Sequence, residues 1–128
     1  MTAFPDVEQV LAQHPDIELA YVFGSVARGE AGTDSDLDLA VRMSEPFDAE
    51  RKINLIEALA SATGRPVDLV DLRTVGEPLL GHILQGQQLI GTPEQHAALV
   101  TRHQLDEADF MPYVRRLQAE RRAQWMKS

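Results

Sequence analysis

The amino-acid sequence predicts a single α/β (α+β) domain, and three observations carry that prediction. Apolar runs of strand length recur at 19–23, 36–42 and 67–72. Between the second and third lies a segment, 46–63, in which Ile53, Ile56 and Ala60 keep helical spacing with Leu55 and Leu59 beside them. At 128 residues, 44% hydrophobic and 25% charged, the chain has the size and composition of one globular domain, and a second domain that covers a substrate is expected to be hard to fit.

Taken in order, Pro5 and Asp6 ahead of Val7, Val10 and Leu11 predict a capped first helix. The run Leu19-Ala20-Tyr21-Val22-Phe23 predicts a buried strand that stops at the sharp turn Gly24-Ser25. A short helix over 25–28 and a turn-rich connector over 29–35 lead into the second strand, 36–42. Gly64 stands where the long helix needs a C-terminal cap. The third strand, 67–72, is followed by a short helix over 77–84 and an edge strand over 88–90. Pro93 then opens a mostly helical tail, in which Leu99, Leu105, Phe110, Val114 and Leu117 form one apolar face among many charges. The organisation expected is a domain over 1–92 with a C-terminal helical extension of that same domain over 93–128.

A formal charge of −8 argues against a protein that coats nucleic acid, since such binding needs many Lys and Arg contacts to phosphate. With no cysteine there is no disulfide frame, thiolate nucleophile or cysteine-held zinc, as suits a reducing cytoplasm. The start MTAFPDVEQV is not a basic segment followed by an apolar run, and no membrane association is expected. The end of the tail is basic: Arg115, Arg116, Arg121, Arg122 and Lys127 stand against Glu120 alone. It reads first as a solvated helix end, and second as a contact for an acidic protein or an RNA, with Trp125 and Met126 as apolar anchors.

Alternation along a strand sends the side chains of Asp36 and Asp38 to one face, with Cα atoms roughly 6.5–7 Å apart. Like charges so close disfavour each other's ionised forms, and a divalent cation is the usual remedy. Oxygen donors without cysteine or a close histidine pair favour Mg²⁺, or Mn²⁺, over Zn²⁺. Before them, Gly24 leaves room for an anion at the start of a helix, Ser25 offers a hydroxyl, and Arg28 one turn on can reach the same anion or form a surface salt bridge. Asp68, bracketed by Val67, Leu69 and Val70, is the candidate third carboxylate. Asp71 competes for that role but points to the opposite face of an ideal strand. Each feature alone has a plain reading as turn, cap or wet strand face; together they call for nucleotidyl transfer.

Gly24-Ser25, ten intervening residues and then Asp36-Leu37-Asp38, within VFGS-x3-G-x5-SDLDLAV and followed by VDLVDL, resemble the signature of the polymerase-beta-like nucleotidyltransferase superfamily. Its smallest members are the minimal nucleotidyltransferase (MNT) domains, and the resemblance spans roughly 19–90. It implies a two-layer fold with a short mixed sheet packed on helices, Asp36, Asp38 and Asp68 as catalytic metal ligands, and Gly24, Ser25 and Arg28 at the nucleotide. It further implies ATP as donor and a HEPN-domain ribonuclease toxin as partner. That toxin would be silenced by AMP placed on a tyrosine hydroxyl. The alternatives are an antitoxin that only occludes its partner, and an enzyme acting on a small molecule such as an aminoglycoside, with a homodimer supplying the lid.

Overall fold

A computed structural model of the chain describes residues 4–32 and 35–106. The elements run α1 (Pro5–Ala12), β1 (Ile17–Phe23), α2 (Gly24–Ala27), β2 (Leu37–Met43), α3 (Ala49–Thr63), β3 (Val67–Asp71), α4 (Leu79–Leu84) and β4 (Gln87–Ile90). A last helix, α5, covers 93–106. The remainder of the tail, with Phe110, Val114, Leu117, Trp125, Met126 and the basic cluster, lies outside the described residues.

The strands form one mixed sheet in the order β3-β2-β1-β4. β1 pairs antiparallel with both β2 and β4, whereas β2 and β3 are parallel. The parallel pair requires a crossover, which α3 provides. Alternation along the strands then separates two apolar clusters. Ala20, Val22, Leu37, Leu39, Val41 and Leu69 pack with Val7, Val10 and Leu11 of α1 and Leu55 and Leu59 of α3. Leu19, Tyr21, Phe23 and Ala40 join Leu72, Leu80 and Ile83 of the α4 region and Leu99 of α5. α1 and α3 thus form the main helical layer, and α4 with α5 covers part of the other face.

Several boundaries move for local reasons. α1 takes no side-chain cap: Phe4 is its N-cap, Pro5 supplies a first residue with no N–H to satisfy, and Asp6 sits in the first turn, where its charge suits the helix dipole. α3 starts at Ala49 and not at 46, because the Asp48 carboxylate accepts the Arg51 N–H at 2.7 Å. It ends as the sequence predicts, with Gly64 left-handed at φ 69°. β2 begins at Leu37, so Asp36 precedes the ladder, and α4 begins at Leu79, later than position 77.

α5 is built into the domain. Its start is a reciprocal cap in which the Gln95 N–H donates to the Thr92 hydroxyl (3.1 Å) and the Thr92 N–H donates to the Gln95 side chain (2.8 Å). The Tyr21 hydroxyl is hydrogen-bonded to His96 Nδ1 at 2.7 Å, and burial raises its pKa, partly offset by the charge of Arg42. Arg102 donates to the carbonyls of Leu72 (2.8 Å) and Val75. His103 pairs with the buried Glu77 carboxylate at 2.6 Å.

Candidate active site

Three strands present their second-face residues in one row at the end of the sheet. Asp38 is in register with Phe23 on β1 and with Asp68 on β3. In-register neighbours on adjacent strands stand about 4.8 Å apart and point the same way, so the Asp38 and Asp68 carboxyls share a face. This pairing follows from the parallel β2–β3 register. Sequence alone assigns the two residues to strands without placing them side by side.

At the end of β1 the chain turns away through Gly24, whose φ is +72°. A Cβ built on Gly24 would land on the Asp38 carboxylate, with Cγ only 3.2 Å away. The missing side chain is therefore the space that the Asp38 carboxylate occupies. α2 carries the chain on to Arg28, which lines the same cleft and whose Nε donates to Glu30 at 2.9 Å. Arg28 is thus a surface ion pair at the rim of the cleft that Asp38 and Asp68 line. Ser25 holds the turn through its carbonyl, which accepts the Glu30 N–H at 3.0 Å.

The electrostatics centre on Asp38. Burial pushes its carboxyl above the ordinary carboxylate range, the charges of Asp68 and Asp36 push it further the same way, and Arg28 opposes them. Asp71 behaves differently, since it closes the turn after β3 by accepting the Arg73 N–H on its carboxylate at 2.9 Å. Of the two acidic residues of β3, Asp68 is the one beside Asp38.

The cleft over this row encloses about 750 Å³. Gly24, Arg28, Asp38 and Asp68 line it together with Phe23 and Ala27; Ser25 and Asp36 are not among its lining residues. The opposite wall comes from α4 and β4 through Leu79, His82, Gln85, Gly86, Gln87 and Gln88. These residues carry no motif, and sequence reasoning missed them. The signal available was only that a short helix and an edge strand follow Asp68. As the side chains stand, no three His, Asp or Glu residues among those described close around a common point fit for a metal ion.

A family model described as polymerase beta, nucleotidyltransferase, matches residues 6–95. The chain belongs to this family. Other members give the nucleotidyltransferase match a finer context. The protein adenylyltransferase MntA of Shewanella oneidensis is 36% identical over 110 residues, which are 85% of this chain and 74% of that one. Among solved structures, a toxin-antitoxin with AMP-PNP superposes with a TM-score of 0.71 at 29% identity, covering 98% of both chains. The complex of a tri-AMPylated Shewanella oneidensis HEPN toxin with its MNT antitoxin gives a TM-score of 0.61 at 26% identity, covering 96% of this chain and 95% of that one. Among the described residues no helix is long and apolar enough to cross a membrane.

Proposed function

We propose that this nucleotidyltransferase moves AMP from ATP to a hydroxyl, on a tyrosine, of a HEPN-type toxin, with pyrophosphate as the leaving group, and thereby acts as its antitoxin. The observation that carries the reading is the in-register Asp38–Asp68 pair against the side-chain-free Gly24 turn. The relatives that match most of the chain include a protein adenylyltransferase, a toxin-antitoxin with AMP-PNP, and an MNT antitoxin in complex with a tri-AMPylated HEPN toxin.

In this reading Gly24 and Ser25 hold the donor's phosphates, and Arg28 exchanges Glu30 for a phosphate oxygen. Asp36 and Asp38 would hold Mg²⁺ or Mn²⁺, with Asp68 as the third carboxylate. The donor set fits: all are hard oxygen ligands, and the repulsion by Asp68 and Asp36, which adds to burial in raising the Asp38 pKa, is what a divalent cation would relieve. Bound there, the metal would neutralise charge on the phosphates and favour the attacking oxygen as alkoxide. Asp68, exposed in the cleft beside Asp38, accepts the proton of the incoming hydroxyl. About 750 Å³ suits a nucleotide, and the exposed wall of His82, Gln85 and Gln87 leaves the acceptor's side open to a macromolecule.

The test is intact mass of a candidate HEPN protein after incubation with this chain, ATP and Mg²⁺, beside the Asp36→Asn, Asp38→Asn double variant. Mass added in units of AMP by the wild type and lost in the variant is the expected result. An unmodified but still inhibited partner would sink the enzymatic reading and leave occlusion.

A further inference from the structure

Asp36 lies one residue outside β2, so the sheet ladder does not fix it. What stands next to it is Arg65. The Arg65 Nη1 donates to the Ser35 carbonyl at 3.1 Å and to the Gly32 carbonyl at 2.7 Å. The Ser35 carbonyl belongs to the peptide that enters Asp36. The Gly32 carbonyl also accepts the Ser35 N–H at 3.3 Å, while the Ser35 hydroxyl accepts the Gly32 N–H at 3.0 Å. One guanidinium nitrogen therefore bridges the Gly32 and Ser35 carbonyls.

The position of Arg65 in the chain adds a second link. It follows the left-handed Gly64 cap of α3 and precedes Pro66, whose carbonyl accepts the Leu37 N–H at 2.8 Å. Two residues later β3 starts, with Asp68 as its second residue. The segment 64–66 thus ties the approach to Asp36 to the approach to Asp68. Among the described residues Arg65 forms no ion pair, and it is not among the charges that shift Asp38. Its action is on the backbone.

We infer that Arg65 is a positioning residue that holds Asp36 in place relative to Asp38 and Asp68 for metal binding; the inference rests on the proposed nucleotidyl transfer. Arg73 provides an internal control. Its Nη2 donates to the carbonyls of Met43 (2.6 Å) and Ser44 (3.1 Å), the same kind of clamp at the other end of β2, away from the carboxylates.

The experiment is Mn²⁺ binding to the full chain, read from the electron paramagnetic resonance of the free ion, with Mg²⁺ dependence of AMP transfer alongside. Arg65→Ala is expected to weaken Mn²⁺ binding by about 10- to 100-fold, the scale for lost outer contacts to metal ligands, and to raise the Mg²⁺ requirement in step. Arg65→Lys, which keeps a donor and a charge, restores part of the binding and serves if the alanine variant does not fold. Arg73→Ala binds Mn²⁺ as the wild type does. Mn²⁺ affinity within twofold of wild type in Arg65→Ala and Arg65→Lys, or equal weakening in Arg65→Ala and Arg73→Ala, overturns the positioning role alone. A wild-type chain that neither binds Mn²⁺ nor transfers AMP overturns the functional reading, and the inference with it.

Discussion

Gly24 concentrates two constraints in one residue, a left-handed backbone and the contact with the Asp38 carboxylate. An alanine there meets both. Strain in the left-handed region costs about 1–2 kcal/mol, which urea unfolding of Gly24→Ala should show as a lowered midpoint with an unchanged slope. The added methyl must also displace Asp38, and misplacing a reacting constellation by about 1 Å can cost on the order of 100-fold in rate. AMP transfer should therefore fall far more than stability does. A variant with wild-type activity would mean that the turn does not set the carboxylate. For Asp38 itself the sign can be worked out. Its folded pKa lies above the ordinary 3.8, so its contribution to stability is present below 3.8 and is lost as pH rises through the raised value. At neutral pH the ionised group carries its burial and its repulsion by Asp68 and Asp36, offset only in part by Arg28. In EDTA, Asp38→Asn should melt higher than wild type at pH 7, with the gain vanishing as pH falls below 3.8. Mg²⁺ should narrow the gap by binding the wild type. Equal melting temperatures at pH 7 in EDTA would remove this account.

At the scale of elements, the far wall of the cleft depends on how closely β4 approaches β1. A Cβ on Gly86 would run into the Val22 carbonyl oxygen and come within 2.9 Å of Phe23 Cα and Cβ. The obstacle is backbone, so it cannot rotate away. Gly86→Ala should wedge the edge strand off β1, costing about 1–3 kcal/mol as overpacking does, and should impair AMP transfer by displacing His82, Gln85 and Gln87. Chemical denaturation and the transfer assay check the two effects separately. The same region shows what sequence can and cannot reveal. β1, β2 and β3 were legible because a buried strand is a short apolar run bounded by turn residues, and Gly64 was legible because a left-handed cap favours glycine. The start of α3 was misplaced because the bond from the Arg51 N–H to Asp48 decides it, and hydrophobic spacing does not register caps. Asp38 and Asp68 could each be picked out as acidic residues within apolar strands. That they are direct neighbours depends on the β2–β3 register, and that His82 and Gln87 face them depends on how α4 and β4 fold back, neither of which leaves a pattern in the chain.

For the molecule as a whole, the question is whether 1–92 is sufficient, since the family match ends at residue 95. The second face of the sheet argues that it is not. Leu99 is 5% exposed among Tyr21, Leu72, Leu80 and Ile83, so removing α5 uncovers part of that cluster. Burial of one leucine is worth about 1.5–3 kcal/mol. Glu77, with its side chain 8% exposed, would lose His103, and leaving a buried charged group unpaired costs about 1–3 kcal/mol more. The carbonyls of Leu72 and Val75 would lose Arg102, and Tyr21 would lose His96. Set against a typical domain stability of about 5–15 kcal/mol, these losses consume much of the total. A chain ending at residue 92 should show a broad, low-temperature melt by circular dichroism and little AMP transfer, because α4 supplies a wall of the cleft. Leu99→Ala in the full chain, costing about 2–5 kcal/mol, should move part of the way in the same direction. If the shortened chain instead melts as sharply and as high as the full one, α5 is not a structural part of the fold, and its apolar face is free to serve the toxin.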